Sequence, residues 1–315
     1  MFDQKYIDDL NELLSHSDEL EFINDEKVVD AIQTLYDSLE YLPTCKYQHY
    51  SYTFEEARDL LFEVFDRIDP MYKDKVLEAI NNKDQYIFRI IFDPKHELYG
   101  VNKCGSGPNY TTEVIITYEN SPKGVLTAGH ECAHAIGNRS KYNVRPDDDC
   151  IGEIESLFTE HLIADVLLQM GAITQEEYDS LQNESVNNLK KNCEIALERV
   201  RLLKNLTLPV TKEQLEELVL SLEDEPNKES LLKRLQRMPT DRRSAPYVYR
   251  YIVGEVVSSK LYRRYQDDRE DTMDRFYVML ENNVHYKLDD VTDWFFKESP
   301  EETFKSYLRN IDKKR

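Results

Sequence analysis

The chain has 315 residues, 40% of them hydrophobic, and a formal net charge of −21 from 61 acidic and 40 basic residues. That length holds one large domain or two modest ones, and only 9 Gly and 11 Pro point to a globular, mostly helical chain. A field this negative repels nucleic-acid phosphates and anionic membrane, and no run nears the ~20 apolar residues of a membrane span, so neither partner is expected. Five scattered cysteines (Cys45, Cys104, Cys132, Cys150, Cys193), with no Cys-x-x-Cys pair, exclude a thiolate zinc knuckle and argue for a reducing compartment. The start, Met1-Phe2-Asp3-Gln4-Lys5, lacks the basic-then-apolar order of a secretion signal. The expectation is a soluble cytoplasmic protein, or one exported by a route that the sequence does not show.

Residues 1–82 read as about four helices. Leu10, Leu13 and Leu14 form one amphipathic stretch, and Val28, Ile32, Leu35 and Leu39 another. Thr53-Phe54-Glu55-Glu56 is a capping box opening a third, which Asp69-Pro70 ends, and Tyr72 to Ile80 supplies a fourth. None of this carries obvious chemistry, so a supporting helical lobe is expected over 1–82. The character changes at Tyr86-Ile87-Phe88-Arg89-Ile90-Ile91-Phe92, whose β-branched and aromatic residues predict a strand. A loop over 99–108 follows, with Gly100, Gly105 and Gly107, and then a second strand over 110–118. A strand leading into a metal helix can pair with extended substrate backbone in a peptidase, or it can be an ordinary sheet strand.

Ser121-Pro122 caps and opens a helix containing His130-Glu131-Cys132-Ala133-His134. Positions four apart share a helical face, so His130 and His134 present two imidazoles to one metal ion, the pattern of helical zinc proteases. Glu131 sits beside them as a carboxylate suited to take a proton from the attacking water. Cys132 reads as a small packed residue. A zinc site with two histidines requires one more protein ligand. The next helix, from Ile151, offers Glu153, Glu155, Glu160 and His161. At about 100° per residue Glu153 and Glu160 share a face, while Glu155 points roughly 160° away. Glu153 is therefore the expected third ligand of one Zn2+ per chain. Glu160, about two turns on, suits a supporting role in orienting a ligand or the helix pair.

Beyond it, Thr174-x-x-Glu177 and Thr211-x-x-Gln214 are capping boxes, and 189–206 carries a helical stripe. Pro246-Tyr247-Val248-Tyr249-Arg250-Tyr251-Ile252-Val253-Gly254 puts Tyr247 and Tyr251 on one helical face and Tyr249 on the other. A tyrosine hydroxyl can donate to the oxyanion formed when water attacks a carbonyl, and packing or surface aromatics are the alternative. Residues 288–296 and 299–311 give two closing helices.

The block Tyr118-Glu119-Asn120 through His134, then Glu153-Ile154-Glu155-Ser156-Leu157-Phe158-Thr159-Glu160, resembles the thimet oligopeptidase and oligoendopeptidase F family of zinc peptidases, with a much shortened N-terminal part. The family carries His-Glu-x-x-His and then Glu-x-x-Ser-x-x-x-Glu, whose first Glu binds zinc. The glycine segment with Gly105 and Gly107 is similar to the one that precedes the family's substrate-facing strand. The tyrosine block is similar to a Tyr-x-Tyr-x-Tyr-x-x-Gly helix that binds substrate and stabilises the transition state. That match favours Tyr249 for the oxyanion, then Tyr247, with Tyr251 toward substrate.

The resemblance spans roughly 85–300. It implies a mainly α fold with a small β-sheet, a zincin-like metallopeptidase catalytic domain over 83–315, and metal-activated attack on peptide bonds. Residues 237–243 hold no histidine where the family has one; Arg242 or Arg243 can donate there or be surface charges. The expected partner is a peptide or protein substrate: oligopeptides, or one folded protein in the manner of an effector. A zinc-containing peptide-binding module without turnover is the rival from another class. Nothing in the sequence sets the oligomeric state.

Overall fold

The computed structural model describes residues 2–15, 19–47, 54–81, 86–91, 100–103, 112–117, 121–136, 150–223, 225–240, 244–282 and 287–312. Gly105, Gly107, Arg242 and Arg243, named above, lie outside the described residues, as does Thr53 of the predicted capping box.

The chain is a helical protein, with fourteen α-helices among the described residues, and extended backbone is confined to three strands of 6, 4 and 6 residues. They are β1 (Tyr86–Ile91), β2 (Gly100–Lys103) and β3 (Thr112–Thr117), in the order β1-β3-β2. β3 runs parallel to β1, with Tyr86 opposite Thr112, and antiparallel to β2, with Gly100 opposite Ile116. β2 falls in the stretch read as loop. Its Gly-Val-Asn-Lys sequence has only one strong strand former, so pairing to β3 decides its conformation.

The chain divides into two compact units, Met1–Glu40 with Asn188–Ile252, and Tyr41–Asn187 with Val253–Arg315. This division crosses the expected boundary at residue 82 and falls inside two long helices. The first unit contains α1 (Gln4–Ser15), α2 (Glu19–Asn24), α3 (Glu26–Ser38), α9 (Lys212–Ser221) and α10 (Lys228–Arg237). It also takes the last part of α8 (Gln175–Leu203) and the first turns of α11 (Ala245–Asp267). Ile7, Leu10 and Leu14, one face of α1, are buried with Leu203, Leu218, Leu231 and Leu235. Asn11 brackets Val210, accepting from its N–H at 2.6 Å and donating to its carbonyl at 2.9 Å, and Tyr6 donates to the Leu235 carbonyl. The Thr211/Gln214 capping box opens α9 as its sequence predicts.

The second unit contains α4 (Phe54–Ile68), α5 (Pro70–Asn81), the three strands, α6 (Pro122–Ile136) and α7 (Cys150–Gln169). The start of α8, the remainder of α11, α12 (Arg269–Asn282), α13 (Leu288–Phe296) and α14 (Pro300–Asp312) complete it. α7 is its centre. Residues on every side of it are buried, from Ile151 and Phe158 to Leu162 and Val166, as befits a helix covered all round. Phe158 meets Phe276 edge-on at 4.9 Å, and Tyr72 is wholly buried, its hydroxyl 2.8 Å from Thr159 Oγ1. α6 lies along α7 and also meets β2 and β3. No described helix is long and apolar enough to cross a membrane.

Candidate metal centre

Ser121 starts α6 as expected: its Oγ accepts the Gly124 N–H at 3.3 Å, satisfying one orphan donor of the first turn. Two turns later the helical repeat brings His130 and His134 onto one face, with ring centroids 4.7 Å apart and planes at 84°. Their Nε2 atoms lie 3.1 Å apart. Glu153, in the first turn of α7, completes the group: its Oε2 is 3.5 Å from His130 Nε2 and 3.7 Å from His134 Nε2. A tetrahedron with zinc bonds of about 2.1 Å has edges of about 3.4 Å, and these three separations bracket that value. Among the described residues this is the one His/Cys/Asp/Glu group converging closely enough to hold a metal ion.

The surroundings fit the same group. Glu160 Oε1 is 2.6 Å from His130 Nδ1, so a proton on Nδ1 donated to Glu160 leaves the Nε2 lone pair facing the other donors. Ser156 donates to Glu153 Oε2 at 3.3 Å. Glu131 is buried, and its Oε2 has no hydrogen-bond partner among the described residues. An unpaired carboxylate oxygen in such a place is costly unless water or a cation meets it.

The charges are coupled. Burial would lower the His130 pKa, but the hydrogen bond and charge of Glu160, with Glu153 and Glu131 behind it, raise it to about 9. Burial raises Glu131 to about 7; His130 opposes this, while Glu153 and Glu160 add to it. A divalent cation on the three donors would push both groups back, since its charge disfavours an imidazolium and favours a carboxylate. Cys132 is buried and its thiol is pushed up to about 12 by burial, as befits a packing residue without thiolate character.

His130, Glu131, His134, Glu153 and Glu160 are therefore brought together by two helices. Glu155 and His161, weighed beside them in sequence, are buried outside the converging group. His161 stacks on Tyr262 at 5.4 Å, its Nε2 lying 3.7 Å from Glu255 Oε1 and 3.4 Å from Ser259 Oγ. Sequence reasoning missed Glu255 and Gly254, and the available signal was a glycine and a glutamate inside an otherwise apolar helical run. The tyrosines belong to the other unit. The Tyr247 and Tyr251 hydroxyls are 3.2 Å apart, and Tyr249 meets Phe22 edge-on at 5.3 Å.

No family model and no curated protein matches the chain. Solved structures do. A protein named as an oligoendopeptidase F, from Bacillus anthracis str. Ames, is similar at TM-score 0.60 and 13% identity, over 99% of this chain and 56% of that one. Another structure named as oligoendopeptidase F gives 0.61 at 10% identity, over 99% and 58%, and PZ peptidase A with an inhibitor gives 0.60 at 9%, over 99% and 59%. The likeness covers almost the whole chain, residues 1–82 included, and so extends beyond the 85–300 stretch that the motifs suggested. The chain in turn spans less than three fifths of each of those structures. By fold, the chain goes with the oligoendopeptidase F structures, the family that its motif blocks resemble.

Proposed function

We propose that the chain is a zinc-dependent metallopeptidase that hydrolyses peptide bonds, with His130, His134 and Glu153 holding one zinc ion. The observation that carries this reading is the convergence of those three donors beside a buried Glu131 whose Oε2 lacks a partner among the described residues. A zinc ion held there would polarise the scissile carbonyl and acidify the attacking water. Glu131 takes the proton of that water and returns it to the leaving amine. Glu160 keeps His130 in the tautomer that leaves Nε2 as a donor, and Ser156 restrains the Glu153 carboxylate. Tyr249 or Tyr247 donates to the oxyanion, with Tyr251, Gly105 and Gly107 toward substrate, a role that rests on motif resemblance alone.

Peptides are the proposed substrates, since the similar structures carry peptidase names. Quenched fluorescent peptides of increasing length, assayed beside whole proteins with and without chelator, test this. Chelator-sensitive cleavage restored by zinc supports the reading, and cleavage indifferent to chelator opposes it. The absence of a histidine over 237–243 motivates one rival, a zinc-containing peptide binder without turnover. Stoichiometric zinc and tight peptide binding with no cleavage would favour that rival.

A further inference from the structure

Gly254 stands in the interior of α11, where glycine is among the poorest helix formers and calls for a packing reason. Conformational freedom is not that reason, because Gly171 is the only described glycine with positive φ. A Cβ built on Gly254 would lie 2.8 Å from Glu153 Cβ, 3.0 Å from the Glu153 carbonyl carbon and 3.0 Å from Leu157 Cδ1. The first two neighbours cannot swing aside, being the root of a side chain and its backbone. Gly129, on α6, offers the contrast. Its Cβ would meet Ile163 Cδ1 at 1.9 Å, but that atom is the tip of a flexible side chain and a rotamer change relieves it.

We infer that Gly254 is a positioning residue for the proposed metal centre: the missing side chain lets α11 lie against α7 at Glu153 and sets where that carboxylate meets His130 and His134. This rests on the metal-site reading given above. Glu153 Cβ is the pivot from which the carboxylate reaches the donors, and sites of this kind tolerate displacements of only about 0.5 Å. A methyl group at position 254 must move the pivot or the helix.

The test uses the full chain and the metal alone. Zn2+ affinity is measured by competition with a chromophoric chelator, and Co2+ loading by its visible spectrum, for wild type, Gly254→Ala, Glu153→Gln and the double variant. Circular dichroism and thermal melting report folding. Gly254→Ala is expected to fold, to lose about 10- to 100-fold in Zn2+ affinity and to weaken the Co2+ bands. In the Glu153→Gln background the same substitution should have little further effect, because it acts through Glu153. Unchanged affinity in a folded Gly254→Ala, or equal losses in both backgrounds, overturns the inference. If Gly254→Ala does not fold, Leu157→Ala/Gly254→Ala, which removes one colliding neighbour, is compared with Leu157→Ala by the same criteria. Failure of wild type itself to bind Zn2+ would overturn the underlying metal reading, a result distinct from all of these.

Discussion

Two histidine–carboxylate pairs, one half-buried and one buried, each place one member on helix α7, and they have opposite characters. In one, His130 is joined through Nδ1 to Glu160, and its Nε2 is left facing His134 and Glu153. In the other, His161, the residue after Glu160, has Nε2 directed at Glu255 and Ser259 while its ring stacks on Tyr262. Glu255 also accepts from Ser259 at 2.9 Å, and its pKa is lowered: burial opposes this, but the hydrogen bond and charge of His161, with Ser185 and Ser259, outweigh it. Glu160, His161 and Glu255 border the same small cavity with Ser185. The difference lies in what each imidazole has left over. A histidine anchored by one nitrogen offers the other to a metal ion, whereas one whose neighbours close around it is a structural member.

The widest separation between the pairs comes from removing each histidine. His130→Ala removes a proposed ligand, so zinc affinity should fall by more than the 10- to 100-fold typical of losing a supporting partner, and peptidase activity should fall to background. His161→Ala should keep zinc near wild-type affinity but lose about 3 kcal/mol of stability. That is about what leaving a buried carboxylate short of one hydrogen-bond partner costs, while Ser185 and Ser259 still meet Glu255. Zinc titration and urea unfolding of both variants check this, and equal effects on zinc would erase the distinction.

The carboxylates give a smaller contrast with a pH signature. Glu160→Gln should weaken zinc binding about 10- to 100-fold, and Glu255→Gln should leave it almost unchanged. Because the folded-state pKa of Glu255 is depressed, its contribution to stability is complete above the unfolded value of about 4.3 and fades as pH falls through the folded value. The stability advantage of wild type over Glu255→Gln should therefore be full at pH 7 and shrink below roughly pH 4. Urea midpoints across that range measure it, and an advantage that grows on acidification would contradict the assignment.

A serine supports a carboxylate beside each pair, Ser156 at Glu153 and Ser259 at Glu255, and these give the smallest effects. Ser156→Ala removes a donor to Glu153 and should cost about 1 kcal/mol, roughly fivefold in zinc affinity. Ser259→Ala should cost about 1 kcal/mol of folding stability with zinc affinity unchanged. The same titrations distinguish them.

The first pair was largely legible in the sequence and the second was not. His130 and His134 are one helical turn apart, and Glu160 follows Glu153 by two turns, so the 3.6-residue repeat alone places each couple on a face. His161 and Glu255 are far apart in sequence and meet only through the packing of α7 and α11, which no local period reports. Gly254 was visible as a residue but not as a contact, for the same reason. β2 escaped notice because its conformation comes from pairing with β3, and the units because their division falls within α8 and α11. The leucine faces of α1 and α3, by contrast, follow local periodicity and read correctly.

In the proposed reaction Glu131 supplies chemistry beside a metal held by other residues. This role is tested most directly by measuring zinc content and peptide cleavage on the same preparations of wild type and Glu131→Gln. One zinc per chain is expected in both, with a loss of about 100- to 10,000-fold in cleavage rate for the variant. Undiminished cleavage by Glu131→Gln, or a wild type without zinc, would contradict it.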